Sequence, residues 1–327
     1  MARISQKHLN KVLKEYEWIV RIYREKYSKE VRRDWRTYEQ RLALRIRNAA
    51  KELYPLIKEA CSQITVIKGK RRQRKLPLEK KILALLLKDI FQLSNRKFAN
   101  MLALFSALTE IDVSYKTIER IYSDELVKLA IHNLFVLLIK KKGVKGCDAC
   151  GDGTGYSLTI TRHYRSERER HLKGKNAKKS FVYVFSFMDL DSKMYVGYAS
   201  SMKSEKEAYR KAKELAEKIG ITFKSIRLDK LYSNKSITEE FGKNTTIYII
   251  PKRNATIKGN ARWKKILKSF IADTFSYLQE YYKRNNSESG YSCDKRLSGW
   301  KVWQRKEDRI EVALMCKAIW HNLMLLY

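Results

Sequence analysis

Residues 281–296 place Tyr281, Arg284, Glu288 and Lys295 at steps of three, four and seven. On a helix those steps fall on one face, so a carboxylate would stand among an aromatic ring and two cations. A surface helix with ordinary ion pairs accounts for Arg284 and Glu288 taken alone. Asn285, Asn286, Ser287 and Gly290 are weak helix formers, which argues that the stretch is not a plain structural helix. Two more carboxylates could join Glu288. Asp152 heads the run Asp-Gly-Thr-Gly-Tyr, and Asp229 directly follows residues 225–228. Three carboxylates within hydrogen-bonding range repel one another unless cations neutralise them. Two hard divalent cations with oxygen ligands meet that need. Each Asp alone reads as a cap or a surface group; the case rests on the three together.

The elements that must bring these groups together lie in residues 141–327. A strand is expected over 144–152, ending in Asp152, with Gly153 and Gly155 letting the backbone turn. Residues 180–188 form a second strand whose weak alternation suggests burial on both faces. Residues 193–199 pair with it as a hairpin through the turn Asp189-Leu190-Asp191-Ser192. A short strand over 225–228 ends at Asp229, and another over 245–250 is stopped by Pro251. Helices are expected over 204–219 and 237–241 and through most of 261–327. In the last of these, Asn322 could satisfy a backbone group. Hairpin-linked strands extended by parallel crossovers predict an α/β fold: a mixed five-stranded sheet with helices on its faces. Asp152 and Asp229 would then leave strand ends, and the helix bearing Glu288 would close the site.

The preceding residues read as helical. Leu9, Val12, Tyr16, Ile19, Ile22 and Tyr23 recur at three and four, with Pro55 marking a turn or kink. Residues 1–67 are expected to form an arm for DNA binding or dimerisation. Residues 68–77 make a basic linker, with Arg71, Arg72 and Arg74 suited to lie on phosphates. Residues 78–140 have the pattern of a helical domain containing a helix-turn-helix. Ser94 would cap its second helix and Ser114 its third, offering Lys116, Thr117 and Arg120 to a major groove. A helical packing domain without DNA contact is the plainer reading of the same pattern.

Lys and Arg total 70 against 35 Asp and Glu, a formal charge of +35. That balance points to a polyanionic partner, most economically nucleic acid, with a membrane surface as the competitor. No run reaches 18 apolar residues, so no transmembrane helix is expected, and Met-Ala-Arg-Ile-Ser has no apolar signal core. Cys61, Cys147, Cys150, Cys293 and Cys316 are scattered and odd in number, which suits a reduced, cytoplasmic protein. Cys147 and Cys150 lack the second ligand pair that a structural zinc site requires.

These residues resemble the motifs of DDE transposases from bacterial and archaeal insertion sequences. Asp152-Gly-Thr-Gly-Tyr resembles the first-aspartate motif, and Asp229-Lys-Leu-Tyr232 the second. Tyr281, Arg284, Glu288 and Lys295 match that family's tyrosine–arginine–glutamate–lysine signature, and the likeness spans about residues 144–327. The resemblance implies an RNase H-like catalytic domain and cut-and-paste transposition. It implies that Asp152, Asp229 and Glu288 bind two Mg2+ ions per active site, with Mn2+ able to substitute. One ion would activate water, or later the DNA 3′-hydroxyl; the other would stabilise the leaving 3′-oxygen. Tyr281, Arg284 and Lys295 would hold phosphates near the cleaved strand, and Tyr232 would pack against a distorted nucleotide. The implied partners are double-stranded DNA, both terminal inverted repeats and target, and a second copy of the chain when bound to DNA. No membrane is implied, and the protein is expected at the nucleoid. Asp148 is the alternative first carboxylate.

A basic tract between the first two expected strands includes Arg162, Arg165, Arg170, Lys173, Lys178 and Lys179. It is expected to be a loop or β extension that follows a DNA backbone. Two other functions share part of this pattern. A non-catalytic DNA-binding protein derived from a transposase would bind repeats without metal-dependent chemistry. An RNase H-like structure-specific nuclease would use the carboxylates without needing the final four-residue signature.

Overall fold

The computed structural model describes residues 5–27, 34–65, 76–158, 163–174 and 180–327. Among the described residues the chain opens with seven helices: α1 (Gln6–Tyr27), α2 (Trp35–Ser62), α3 (Leu78–Phe91), α4 (Asn95–Leu104), α5 (Ser106–Thr109), α6 (Tyr115–Ile121) and α7 (Glu125–Lys142). The side chains of Ser94 and Ser114 accept the backbone N–H of Lys97 and Thr117, so both expected caps start helices, α4 and α6. Pro55 does not break α2, which runs 28 residues through it. Its position is exposed, where water can satisfy the carbonyl that proline leaves without a donor. α1 and α2 part company. α2 packs on α3 and α7, whereas α1 lies against two helices of the second half.

That half begins with β1 (Gly146–Ser157), α8 (Tyr164–Lys173), β2 (Phe181–Asp189) and β3 (Tyr195–Ser201). It continues with α9 (Glu205–Ile219), β4 (Thr222–Leu228), α10 (Lys235–Glu239) and β5 (Thr246–Tyr248). It closes with α11 (Ala261–Ala272), α12 (Thr274–Tyr282), α13 (Asn285–Ser298) and α14 (Glu307–Leu323). The five strands form one mixed sheet in the order β3-β2-β1-β4-β5. β1–β2 and β2–β3 are antiparallel, and β1–β4 and β4–β5 are parallel. This is an RNase H-like arrangement, preceded by an all-helical region. β2 is buried along nearly its whole length, because α9 covers one face of the sheet while α13 and α14 cover the other. The helices that receive α1 are α11 and α12, through Tyr16 against Phe270 and Tyr23 against Tyr282.

Two expectations change at β1 and after it. The strand does not end at Asp152 but continues to Ser157. Gly153 and Gly155 therefore do not turn the chain; they lie within the extended strand. A Cβ on Gly153 would overlap the Glu205 carboxyl, and one on Gly155 would overlap the Tyr164 ring. Their lack of a side chain makes room for neighbours. The described part of the basic tract is α8 rather than a loop or β extension. Its Arg, Glu, Leu and Lys residues are good helix formers.

The helical region joins the sheet domain through a buried ion pair. Lys317 Nζ, on α14, lies 3.0 Å from Asp89 Oδ1 on α3 and 3.0 Å from Ser298 Oγ at the end of α13. Trp320 Nε1 donates to the Leu86 carbonyl beside it, at 2.9 Å. Lys317→Ala would leave Asp89 buried without its cation, a loss on the order of 3–5 kcal/mol. A denaturant titration should show that loss, and a smaller one when Asp89→Leu and Lys317→Met are combined.

Candidate active site

Asp152 sits mid-way along the central strand. On β4, Leu228 pairs with Gly151, so Asp229 follows directly alongside Asp152. Asp229 caps the single turn of residues 230–232, its carboxylate accepting the Leu231 N–H at 2.8 Å. The third carboxylate arrives differently from expectation. Residues 281–296 are not one helix: α12 ends at Tyr282 and α13 starts at Asn285, with Arg284 at the junction. Glu288 stands in the first turn of α13. The helix is thus interrupted at Lys283 and Arg284, ahead of the weak helix formers Asn285 to Ser287 and Gly290. Gly290 is inside a regular helix, where an added Cβ would collide with Met188 Cε.

The three carboxylates converge on the Arg284 guanidinium. Arg284 Nη1 lies 2.9 Å from Asp152 Oδ2, and Nη2 lies 2.7 Å from Glu288 Oε1 and 3.9 Å from Asp229 Oδ2. Arg284 Nε is buried with no hydrogen-bond partner among the described residues. Burial pushes the Asp152 carboxyl up to about 6; Arg284 and the Gly153 amide oppose this, while Glu288 and Asp229 add to it. Burial disfavours the Arg284 charge, but the Asp152 carboxylate and its neighbours more than offset this and raise its pKa. Asp148, the alternative ligand, is engaged elsewhere. It accepts from Ser225 and lies 4.0 Å from Arg227 Nη1, one cluster away from Arg284.

A curated protein of Archaeoglobus fulgidus, described as a probable transposase for insertion sequence element ISA1214, is 45% identical to this chain over 278 residues. The match covers 85% of this chain and 84% of that protein. The chain belongs to the DDE-type insertion-sequence transposases. No family model matches the chain, and no solved structure does.

In this transposase the remaining signature residues stand on α12 and α13. Lys295 Nζ donates to Thr154 Oγ1 at 2.8 Å, on the face of β1 that carries Asp152, and lies over the Tyr156 ring. Burial pulls its pKa down to about 8, against Asp294. Tyr281 is buried, and burial pushes its phenol up to about 12. Tyr232 is buried too, at 2% exposure, with its ring against Phe185 and Tyr209 and its hydroxyl on Glu205. The ring is turned into the protein rather than toward a nucleotide. Lys116 and Arg120 on α6, and Arg165, Arg170 and Lys173 on α8, are exposed. Arg71, Arg72, Arg74, Arg162, Lys178 and Lys179 lie outside the described residues. No helix among the described residues is long and apolar enough to cross a membrane.

Sequence reasoning missed the network that fastens α13. Its buried face places Ser287 Oγ 2.9 Å from Cys150 Sγ, and the Tyr291 hydroxyl donates to the Asp152 carbonyl at 2.9 Å. Asp294 Oδ2 accepts the Tyr195 hydroxyl at 2.7 Å, and Oδ1 lies 2.7 Å from His321 Nδ1. His321 Nε2 lies 2.9 Å from the Lys193 carbonyl, and the ring stacks on Tyr195. Asn322 bonds both the N–H and the carbonyl of Tyr195, meeting the expectation for it. A histidine and an asparagine inside the apolar pattern of the last helix were the available signal.

Both His321 nitrogens face acceptors, an arrangement that the doubly protonated ring satisfies in full. Burial opposes that charge, but Asp294 and the Lys193 carbonyl outweigh it and raise the pKa above its ordinary value. A raised folded-state pKa adds stability that is fully present below the unfolded value, about 6.5, and is lost as pH rises through the folded value. Denaturant midpoints followed upward from about pH 6 should therefore fall, and His321→Gln should remove that part of the dependence.

Proposed function

We propose that this chain cleaves the ends of its insertion sequence and joins them to target DNA by metal-assisted phosphoryl transfer. The convergence of Asp152, Asp229 and Glu288 on one guanidinium carries this reading. Among the described residues no three His, Cys, Asp or Glu side chains could hold a metal ion as they stand, and Arg284 lies between the three carboxylates. The donor chemistry nonetheless fits hard divalent cations: every donor is a carboxylate oxygen, and burial leaves Asp152 in need of positive charge. Asp152, Asp229 and Glu288 would hold two Mg2+ ions, or Mn2+ in their place. Bound there, the ions supply Lewis-acid activation of the attacking oxygen and charge compensation for the leaving one.

The protein's own residues supply placement. Arg284 would transfer its paired N–H groups from Asp152 and Glu288 to a phosphate, which accepts the same fork. Lys295 would stand beside it one pleat along β1, and Tyr281 would support the Arg284 junction. Residues 141–327 would be the catalytic domain. Residues 78–140 would read DNA through Lys116 and Arg120, the basic residues 68–77 would link to it, and residues 1–67 would contact DNA or a second copy. Two copies would act together because an element has two ends. Arg165, Arg170 and Lys173 would follow the DNA backbone.

The deciding assay uses labelled element ends, target DNA and Mg2+. Asp152→Asn should lower cleavage and strand transfer on the order of 100-fold or more while DNA binding persists. Unchanged strand transfer would sink the mechanism. Terminal-repeat binding without metal-dependent chemistry in the unaltered protein would indicate a DNA-binding derivative. Cleavage of branched or RNA–DNA duplexes, with no preference for element ends, would indicate a nuclease. Neutralising Arg165 or Lys173 should weaken binding across sequences and flatten the log K against log salt slope by about 0.9 for each phosphate left without its cation.

A further inference from the structure

Glu205, the first residue of α9, touches both the residue after Asp152 and the turn that Asp229 begins. Its Oε1 accepts the Tyr232 hydroxyl at 3.0 Å. Tyr232 closes the turn that begins at Asp229: its N–H donates to the Asp229 carbonyl at 2.9 Å, while Leu231 N–H donates to the Asp229 carboxylate. The same Glu205 carboxyl fills the space left by Gly153, the residue after Asp152. Gly153 N–H in turn donates to Asp152 Oδ1 at 2.9 Å. Gly153 faces the side of the sheet opposite Asp152, since neighbours on a strand point to opposite faces. Phe185, paired with Gly153 across β2, packs its ring on Tyr232 and completes the contact.

We propose that Glu205 is a positioning residue. From behind the sheet it locks the Asp152 strand and the Asp229 turn together, so that the two carboxylates keep one spacing. The inference rests on the reading of Asp152 and Asp229 as the metal-holding pair. Glu205 acts through its hydrogen-bond acceptor and its volume. It takes no part in the chemistry itself. The requirement for glycine at 153 is the other half of the device, because any side chain there would evict the carboxyl. Tyr232 belongs to the lock by its hydroxyl.

The test compares Glu205→Ala, Glu205→Gln, Tyr232→Phe, Gly153→Ala and the double variant Gly153→Ala/Glu205→Ala in the full chain. Hydrogen–deuterium exchange at residues 229–233 reads the lock directly. Glu205→Ala, Tyr232→Phe and Gly153→Ala should speed exchange at the Leu231 and Tyr232 amides by about 10-fold. Glu205→Gln, which keeps the acceptor, should stay near the unaltered protein. The double variant should add nothing to Glu205→Ala, because the added methyl then meets empty space. Single-turnover end cleavage should fall by roughly 10-fold or more in the loosened variants, with a higher Mg2+ requirement and unchanged end binding. Exchange unchanged in Glu205→Ala and Tyr232→Phe would overturn the proposal, as would Glu205→Gln behaving like Glu205→Ala. Loosened exchange in a protein whose unaltered form cleaves no ends would keep the lock and defeat the reading of the function.

Discussion

The geometry around the site depends on one constraint: three carboxylates can share a half-buried space only while positive charge stands among them. Arg284 supplies it. The guanidinium spans Asp152 and Glu288 with two nitrogens and comes within 3.9 Å of Asp229. It sits between two helices rather than within one. On a continuous helix Arg284 and Glu288 would share a stripe and form an ordinary surface pair. At the junction after α12 Lys283 and Arg284 keep helical dihedrals, and Arg284 reaches Asp152 on β1 as well as Glu288, with its Nε buried without a partner among the described residues. An unsatisfied buried donor is costly, and the strong contacts at its two other nitrogens offset that cost.

The central strand explains the rest by its alternation. Asp152, Thr154 and Tyr156 face α13, so the metal-binding candidate, the partner of Lys295 and a buried ring lie on one side. Gly153 and Gly155 face the other side, where Glu205 and Tyr164 come too close for any Cβ. The motif therefore has two functions separated by the sheet. One face presents charge, and the other admits support. α13 receives the matching treatment from behind, where Asp294, His321 and Tyr195 hold it against α14 and β3.

Much of this was legible in the residues. The mixed five-stranded sheet, the hairpin at Asp189 to Ser192, the caps at Ser94 and Ser114 and the role of Asn322 follow from rules of alternation, turn chemistry and hydrogen bonding. The convergence on Glu288 was legible only as spacing, because three residues far apart in sequence meet through the sheet. What was not legible depends on tertiary contact. Glycines in a strand look the same whether they turn the chain or admit a neighbour, and only the position of Glu205 decides. Tyr232 resembled a nucleotide contact because its sequence neighbours match a transposase motif, yet Phe185 and Tyr209 reach it from other elements. Pro55 looked like a break because the exposure that lets a helix tolerate it cannot be seen in composition.

The chain also divides its charges by exposure. Lys116, Arg120, Arg165 and Lys173 stand in water, where an exposed cation keeps its hydration. Arg284 and Lys295 are drawn into partly buried places, where each needs a defined partner. Arg284 meets carboxylates there, whereas Lys295 meets a neutral hydroxyl, so of the two only Arg284 has its charge balanced by its direct partners. The outer cations therefore add positive potential at long range, and the inner pair adds charge confined to the neighbourhood of β1. What sets the inner pair apart is the cost of an uncompensated buried charge rather than the number of positive residues.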